Sequence, residues 1–144
     1  MNFEQARFNM VEQQIRTWDV LDQDVLDLLY AVPREDFVPL AYRSLAFSDM
    51  EIPIGEHNGA VQFMMPPKME ARIVQELALK KSDRLLEVGT GSGYLTALLA
   101  HRALHVRSVD ILATLAAIGR GNLYRHACQS ISLEPGAAAA RCPR

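Results

Sequence analysis

The sequence predicts an α/β fold, with a helical region over residues 1–82 and an alternating strand–helix unit over residues 83–144. Three observations predict it. Apolar residues in the first part recur at helical spacing. Short apolar runs in the second part alternate with helix-length segments, the order that builds a parallel sheet. A cluster of glycines joins the first of those runs to the helix after it.

The elements follow in order. Residues 4–16 fit a helix, with Phe8, Val11 and Ile15 on one face. A second helix begins near Asp22, carries Val25, Leu28 and Leu29 as its apolar stripe, and stops at Pro33, which has no amide to donate. Residues 33–65 are less regular, anchored by Phe37, Val38, Tyr42, Leu45 and Phe47. Within them EIPIG fits a short strand, and GEHNGAVQFMMPP reads as a loop with a short extended piece at 60–65. A third helix opens at Pro66–Pro67, where a fixed φ suits the first turn, and presents Met69, Ile73, Val74 and Leu77.

The second part starts with a strand at 84–89, whose Leu85, Leu86 and Val88 suit a central strand covered on both faces. A helix over 92–102 offers Tyr94, Leu95, Leu98 and Leu99 for packing. A strand at 105–111, a helix over 113–127 and a strand at 130–136 complete the unit. Gly119 and Gly121 weaken the later helix by roughly 1 kcal/mol each relative to alanine.

Composition narrows the classes of function. The 144 residues are 49% hydrophobic and 22% charged, which fits one domain with room for a core. A formal charge of −2 gives no electrostatic ground for a nucleic-acid partner. The N-terminal residues lack the apolar segment of a signal peptide, and no run approaches the roughly 18 apolar residues of a membrane span. Cys128 and Cys142 form neither a disulfide framework nor a metal-ligand spacing, so no metal and a cytoplasmic setting are expected.

The chemistry lies in LEVGTGSGYLTALLA, residues 86–100. Gly89, Gly91 and Gly93 follow a strand and open a helix. Glycines there permit a sharp turn, close approach of a ligand to the main chain and close passage of helix and strand. First-turn amides can meet a polar or negative ligand group. The spacing is G-x-G-x-G, so Tyr94 stands where a dinucleotide fingerprint would place its last glycine, and no Gly-Lys-Ser/Thr phosphate loop is present. Asp110 ends the next strand, 21 residues after Gly89. A carboxylate there can accept both hydroxyls of a ribose. Glu87 precedes the turn and can steady it or meet a ligand amino group. Together these residues suggest a ligand with a nucleoside and no pyrophosphate.

On these segments, with NMVEQQIR, VPREDFVP at 32–39, EIPIG, RSVDI at 107–111 and ISLEPG at 131–136, the chain resembles the protein-L-isoaspartate O-methyltransferase family. The resemblance implies a partial Rossmann-like class I methyltransferase sheet and S-adenosyl-L-methionine as cofactor. It also implies methyl transfer to the carboxylate of L-isoaspartyl residues in a damaged peptide or protein. By resemblance, Glu87, Gly89, Gly91 and Gly93 line the methionine end and the turn, Thr90 and Ser92 offer further contacts, and Asp110 holds the ribose. The family's Thr-Ile-Ser-Gln-Pro segment falls on EHNGAVQFMMPPK. Gln62 then matches its glutamine and Val61 its serine, so no catalytic residue is assigned and repair activity is expected to be weak or absent. Ala137 stands where the family has an acid near the adenine. The sequence stops after its third sheet strand, which leaves strand 84–89 as an apolar edge open to self-association and suggests a truncated or frame-altered product. The alternative is a catalytically inert nucleoside-binding or partner module derived from such an enzyme. A different nucleotide-dependent enzyme, such as an oxidoreductase, is disfavoured by the glycine spacing.

Overall fold

The computed structural model describes residues 1–126 and 130–136; the readings on Cys128, Ala137 and Cys142 lie outside the described residues. Helix α1, Phe3–Asn9, opens where the Asn2 side chain accepts a hydrogen bond from the Gln5 amide. The chain continues in wider π turns over Met10–Ile15 and a tight 3₁₀ turn over Arg16–Trp18. That change of pitch corrects the expected face. Phe8 is half exposed, and Met10 joins Val11 and Ile15 in the core. A 3.6-residue period misplaces side chains once the turns widen.

Helix α2, Gln23–Ala31, is capped by Asp22, whose carboxylate accepts from the Asp24 and Val25 amides. It buries Val25, Leu26 and Leu29, and the chain turns extended at Val32 before Pro33. Two 3₁₀ segments follow, Arg34–Phe37 and Leu40–Leu45. Phe37, Val38 and Phe47 are buried as expected, whereas Tyr42 is exposed.

The expected loop is a hairpin. Strands β1, Ile52–His57, and β2, Ala60–Met64, pair antiparallel around Asn58–Gly59. Both turn residues have positive φ, +51° and +78°, the geometry that makes Asn-Gly a strong hairpin signal. Helix α3, Pro67–Leu77, starts at its prolines but turns a different face inward. Glu70, Ala71 and Val74 are buried, while Met69 and Leu77 are exposed. The buried glutamate sets this rotation, for reasons given below.

Strands β3, Arg84–Val88, β4, His105–Asp110, and β5, Ile131–Pro135, form a parallel sheet in the order β3-β4-β5. Helix α4, Tyr94–Ala100, joins the first pair and α5, Ala113–Arg125, the second. Leu85 and Glu87 of β3 pair with Val106 and Ser108 of β4 and share the face that α4 covers. On the opposite face Leu86 and Val88 are 41% and 66% exposed, so among the described residues β3 is covered on one side. Among the described residues it is also the sheet edge. One apolar cluster nevertheless runs from Met10 and Leu29 through Phe37 and Ile52 to Tyr94, Leu98 and Leu123. No helix among the described residues is long and apolar enough to cross a membrane.

Gly119 has a packing role that propensity conceals. A Cβ there would lie 2.8 Å from Thr90 Cγ2 and 2.9 Å from the Gly91 carbonyl oxygen. Helix α5 therefore presses directly on the glycine turn. Gly119→Ala is expected to destabilise the fold by about 1–3 kcal/mol through overpacking, where helix propensity alone would give a gain of about 1 kcal/mol. Urea denaturation reads the sign, and a stabilised variant would contradict this packing.

Candidate functional site

The glycine turn connects β3 to α4 in a conformation that L side chains resist. Gly89, Gly91 and Gly93 have φ of +97°, +53° and +87°. Three internal hydrogen bonds hold the turn in shape. The Gly89 amide donates to the Val109 carbonyl at 2.7 Å, the Gly93 amide to the Thr90 carbonyl at 2.9 Å, and the Gly91 amide to Asp110 Oδ2 at 3.0 Å. Space is left open above Gly89, where a Cβ would meet nothing within 4 Å. Gly93 is different, because a Cβ there would come within 3.0 Å of Leu123 on α5.

Asp110 is buried at the end of β4. Its Oδ2 holds Gly91 and its Oδ1 accepts from the Leu112 amide at 3.0 Å. One carboxylate therefore fixes the ends of two successive parallel strands against each other. Each oxygen keeps a second lone pair for a further donor.

Glu87 faces away from the open side of the turn. Its Oε1 accepts from Thr96 Oγ1 and from Ser108 Oγ, both at 2.5 Å, and Ser108 Oγ lies 2.6 Å from Thr90 Oγ1. This chain of hydroxyls joins β3, β4, α4 and the turn. Its Oε2 is buried with no hydrogen-bond partner among the described residues. Burial pushes the Glu87 carboxyl from 4.5 up to about 7, against the opposing pull of the Ser108 and Thr96 hydrogen bonds. Between those two values the folded chain holds more protons than the unfolded chain. Stability therefore falls as pH rises through that window and stays lower above it. Glu87→Gln keeps an acceptor for both hydroxyls and removes the charge. It is expected to raise stability at pH 8 by about 1–3 kcal/mol and to change it little at pH 4. Identical stability–pH curves for variant and parent would refute this.

A second polar cluster lies under the turn, and the sequence reading missed it. Arg34 is fully buried. Its Nε donates to the Ala46 carbonyl at 2.8 Å, Nη2 to the Met65 carbonyl at 2.8 Å, and Nη1 to Glu70 Oε1 at 2.5 Å. The guanidinium also lies over the Tyr94 ring at 4.7 Å. Burial raises the Glu70 carboxyl, with Arg34 pulling the other way, and raises the Tyr94 hydroxyl. One signal was available: Glu70 lies four residues before Val74, on the same helical face.

A small cavity of about 80 Å³ adjoins the turn. Gly89, Thr90, Gly91 and Ser92 form one wall, and Met64 and Met65 face them. Val61 is not there. It stands half exposed on β2, beside a different groove that Pro39 and Tyr42 border. The structure thus brings Gly89, Thr90, Gly91, Ser92, Gly93 and Asp110 together, places Glu87 behind them, and leaves Val61 and Gln62 on the hairpin. His57 also sits on the hairpin, its Nε2 3.1 Å from Asn58 Nδ2.

A parallel sheet with this glycine turn and a strand-end acid defines the Rossmann-like fold of class I methyltransferases. Comparison with known proteins narrows the class. The family model for protein-L-isoaspartate(D-aspartate) O-methyltransferase matches residues 5–139, and the chain belongs to that family. It is 42% identical over 132 residues to protein-L-isoaspartate O-methyltransferase 2 of Anaeromyxobacter sp. strain Fw109-5, covering 84% of this chain and 51% of that protein. It is 37% identical over 130 residues to the Klebsiella pneumoniae protein-L-isoaspartate O-methyltransferase, covering 90% and 61%. The chain thus spans between half and two thirds of these relatives' length. In fold it resembles a Plasmodium falciparum protein of the same family name crystallised with S-adenosyl-L-homocysteine. The TM-score is 0.72 at 20% identity, over 93% of this chain and 62% of that one.

Proposed function

We propose that this chain binds S-adenosyl-L-methionine at the glycine turn and serves methyl transfer to the α-carboxylate of L-isoaspartyl residues in damaged polypeptides. The Asp110–Gly91 clasp carries the reading. It holds the turn in the shape that leaves Gly89 open, and it fixes beside the turn a carboxylate of the kind that can accept from two ribose hydroxyls. The open space above Gly89 leaves the main chain of the turn accessible to the cofactor. Thr90 and Ser92 border the same cavity, where the main chain of both and the Ser92 hydroxyl are available to its polar end. Glu87 acts behind the turn, holding Thr90 through Ser108.

Bound S-adenosylmethionine would supply an electrophilic methyl group on sulfur. The acceptor carboxylate is ionised at neutral pH and needs no base. The protein's part is then to hold acceptor and cofactor at attack distance and exclude water. Phe63, Met64 and Met65 offer an apolar wall for this. The test is transfer of a labelled methyl group to an isoaspartyl peptide, with the aspartyl peptide as control. The reading expects label on the isoaspartyl peptide alone. Tight cofactor binding without turnover would favour the inert module instead.

A further inference from the structure

Away from the glycine turn, a cavity of about 420 Å³ lies between the Arg34–Phe37 turn, β1 and the later half of α5. Phe37, Ile54 and Ile118 give it apolar walls, and Arg43 and Arg125 line it as well. The proposed methyl transfer makes no use of these groups.

The two guanidinium groups are gathered by one turn of backbone. Arg43 Nε donates to the Glu35 carbonyl at 3.2 Å, and Arg125 Nη2 donates to the next carbonyl, that of Asp36, at 3.2 Å. Arg125 Nη2 is also steadied by Asn122 Oδ1, one turn earlier on α5. These bonds leave both terminal nitrogens of Arg43, and Nη1 of Arg125, with no partner among the described residues. Neither arginine forms an ion pair among the described residues. The nearby acids are already engaged. The Glu35 carboxylate pairs with Arg7, and the Asp36 carboxylate lies 3.3 Å from His126.

Arg43 is half-buried and Arg125 exposed, and both border the cavity without an acid to pair with among the described residues, so an anion held there is attracted by two positive charges. The chain as a whole is slightly acidic, at −2, so this pair does not belong to a generally basic surface. A guanidinium offers paired N–H groups in the geometry a carboxylate accepts. The apolar walls add area that a bare inorganic ion would leave unused. We infer that this cavity binds a carboxylate carried on an apolar body, gripped by Arg43 and Arg125. The source is either a free organic acid or an acidic residue beside an apolar one in a bound polypeptide. Ile54 borders both this cavity and the one at the glycine turn, so a polypeptide can reach from one to the other. The inference does not depend on methyl transfer.

The test uses two acids and their neutral amides, titrated into the full chain by calorimetry. The free-acid arm compares 3-phenylpropionate with 3-phenylpropionamide. The peptide arm compares acetyl-Phe-Glu-amide with acetyl-Phe-Gln-amide. In at least one arm the acid is expected to bind about tenfold or more tightly than the amide, as charge-assisted hydrogen bonds require. The arm with the tighter acid identifies the source. The Arg43→Gln/Arg125→Gln double variant is expected to lose that preference while binding S-adenosylhomocysteine unchanged. Equal binding of acid and amide to the unsubstituted chain, or no binding of either acid, would overturn the inference and needs no variant to fold. Survival of the preference in the double variant would overturn it too.

Discussion

Replacing Arg34 by alanine is expected to destabilise the fold by about 3–5 kcal/mol, the loss typical of removing one partner from a buried ion pair. Four groups meet at this side chain. The Ala46 carbonyl after the second 3₁₀ segment, the Met65 carbonyl just before α3, the Glu70 carboxylate of α3 and the Tyr94 ring of α4 all contact its guanidinium. Alanine would leave the Glu70 carboxylate and two carbonyls buried without donors. Glu70 would respond by taking up a proton, since burial already raises its carboxyl. The loss should therefore be smaller at pH 5 than at pH 8. Removing both charges in Arg34→Met/Glu70→Leu is expected to recover much of the stability, because buried pairs rarely outperform apolar residues of similar volume. Chemical denaturation checks the series. A loss below about 1 kcal/mol for Arg34→Ala would show that the pair contributes little beyond its packing.

Replacing Asp110 by alanine is expected to weaken binding of S-adenosylhomocysteine by about 100- to 10,000-fold. Each hydrogen bond to a charged group is worth about 1.5–3 kcal/mol, and the ribose reading assigns the carboxylate two. The substitution also releases Gly91 and Leu112, whose amides this carboxylate holds. Asp110→Asn separates the two effects. It keeps the size of the side chain and one acceptor oxygen, enough to hold either the Gly91 or the Leu112 amide, so the turn should be loosened less than by alanine while affinity falls by an intermediate amount. Calorimetry on both variants, with thermal unfolding as a control for folding, reads the difference. Full affinity in a folded Asp110→Ala chain would remove the ribose assignment.

The strand–turn–helix unit was legible in the sequence because its determinants are local. The turn needs positive φ at 89, 91 and 93, which glycine supplies without steric cost, and the short strands around it need only neighbours on the sheet. The interval to Asp110 was legible for the same reason, since one strand, one helix and a second strand fill it. Pattern reading failed where a distant partner decides the outcome. Glu70 is buried because Arg34, far away in the sequence, meets it, and a rule that turns charged residues outward rotates α3 wrongly. For Glu87 the sequence leaves two roles open, steadying the turn or meeting a ligand, and only the folded contacts with Thr96 and Ser108 show it held between strand and helix. Gly119 read as a weak point of a helix, but only the folded contact with Thr90 and Gly91 explains it. The hairpin is another matter. Asn58–Gly59 between extended segments was a visible signal, and reading the stretch as a loop passed over it. The uncovered Leu86 and Val88 mark the limit of composition, which shows that a strand is apolar but not which layer covers it.

The central claim is that the turn at Gly89–Gly93 and the acid at Asp110 together hold an adenosyl ligand. Calorimetric titration of the unsubstituted chain with S-adenosylhomocysteine, and separately with NAD, tests it most directly. Saturable binding of S-adenosylhomocysteine with no measurable binding of NAD is the predicted result. Binding of NAD alone, or of neither, would contradict the claim.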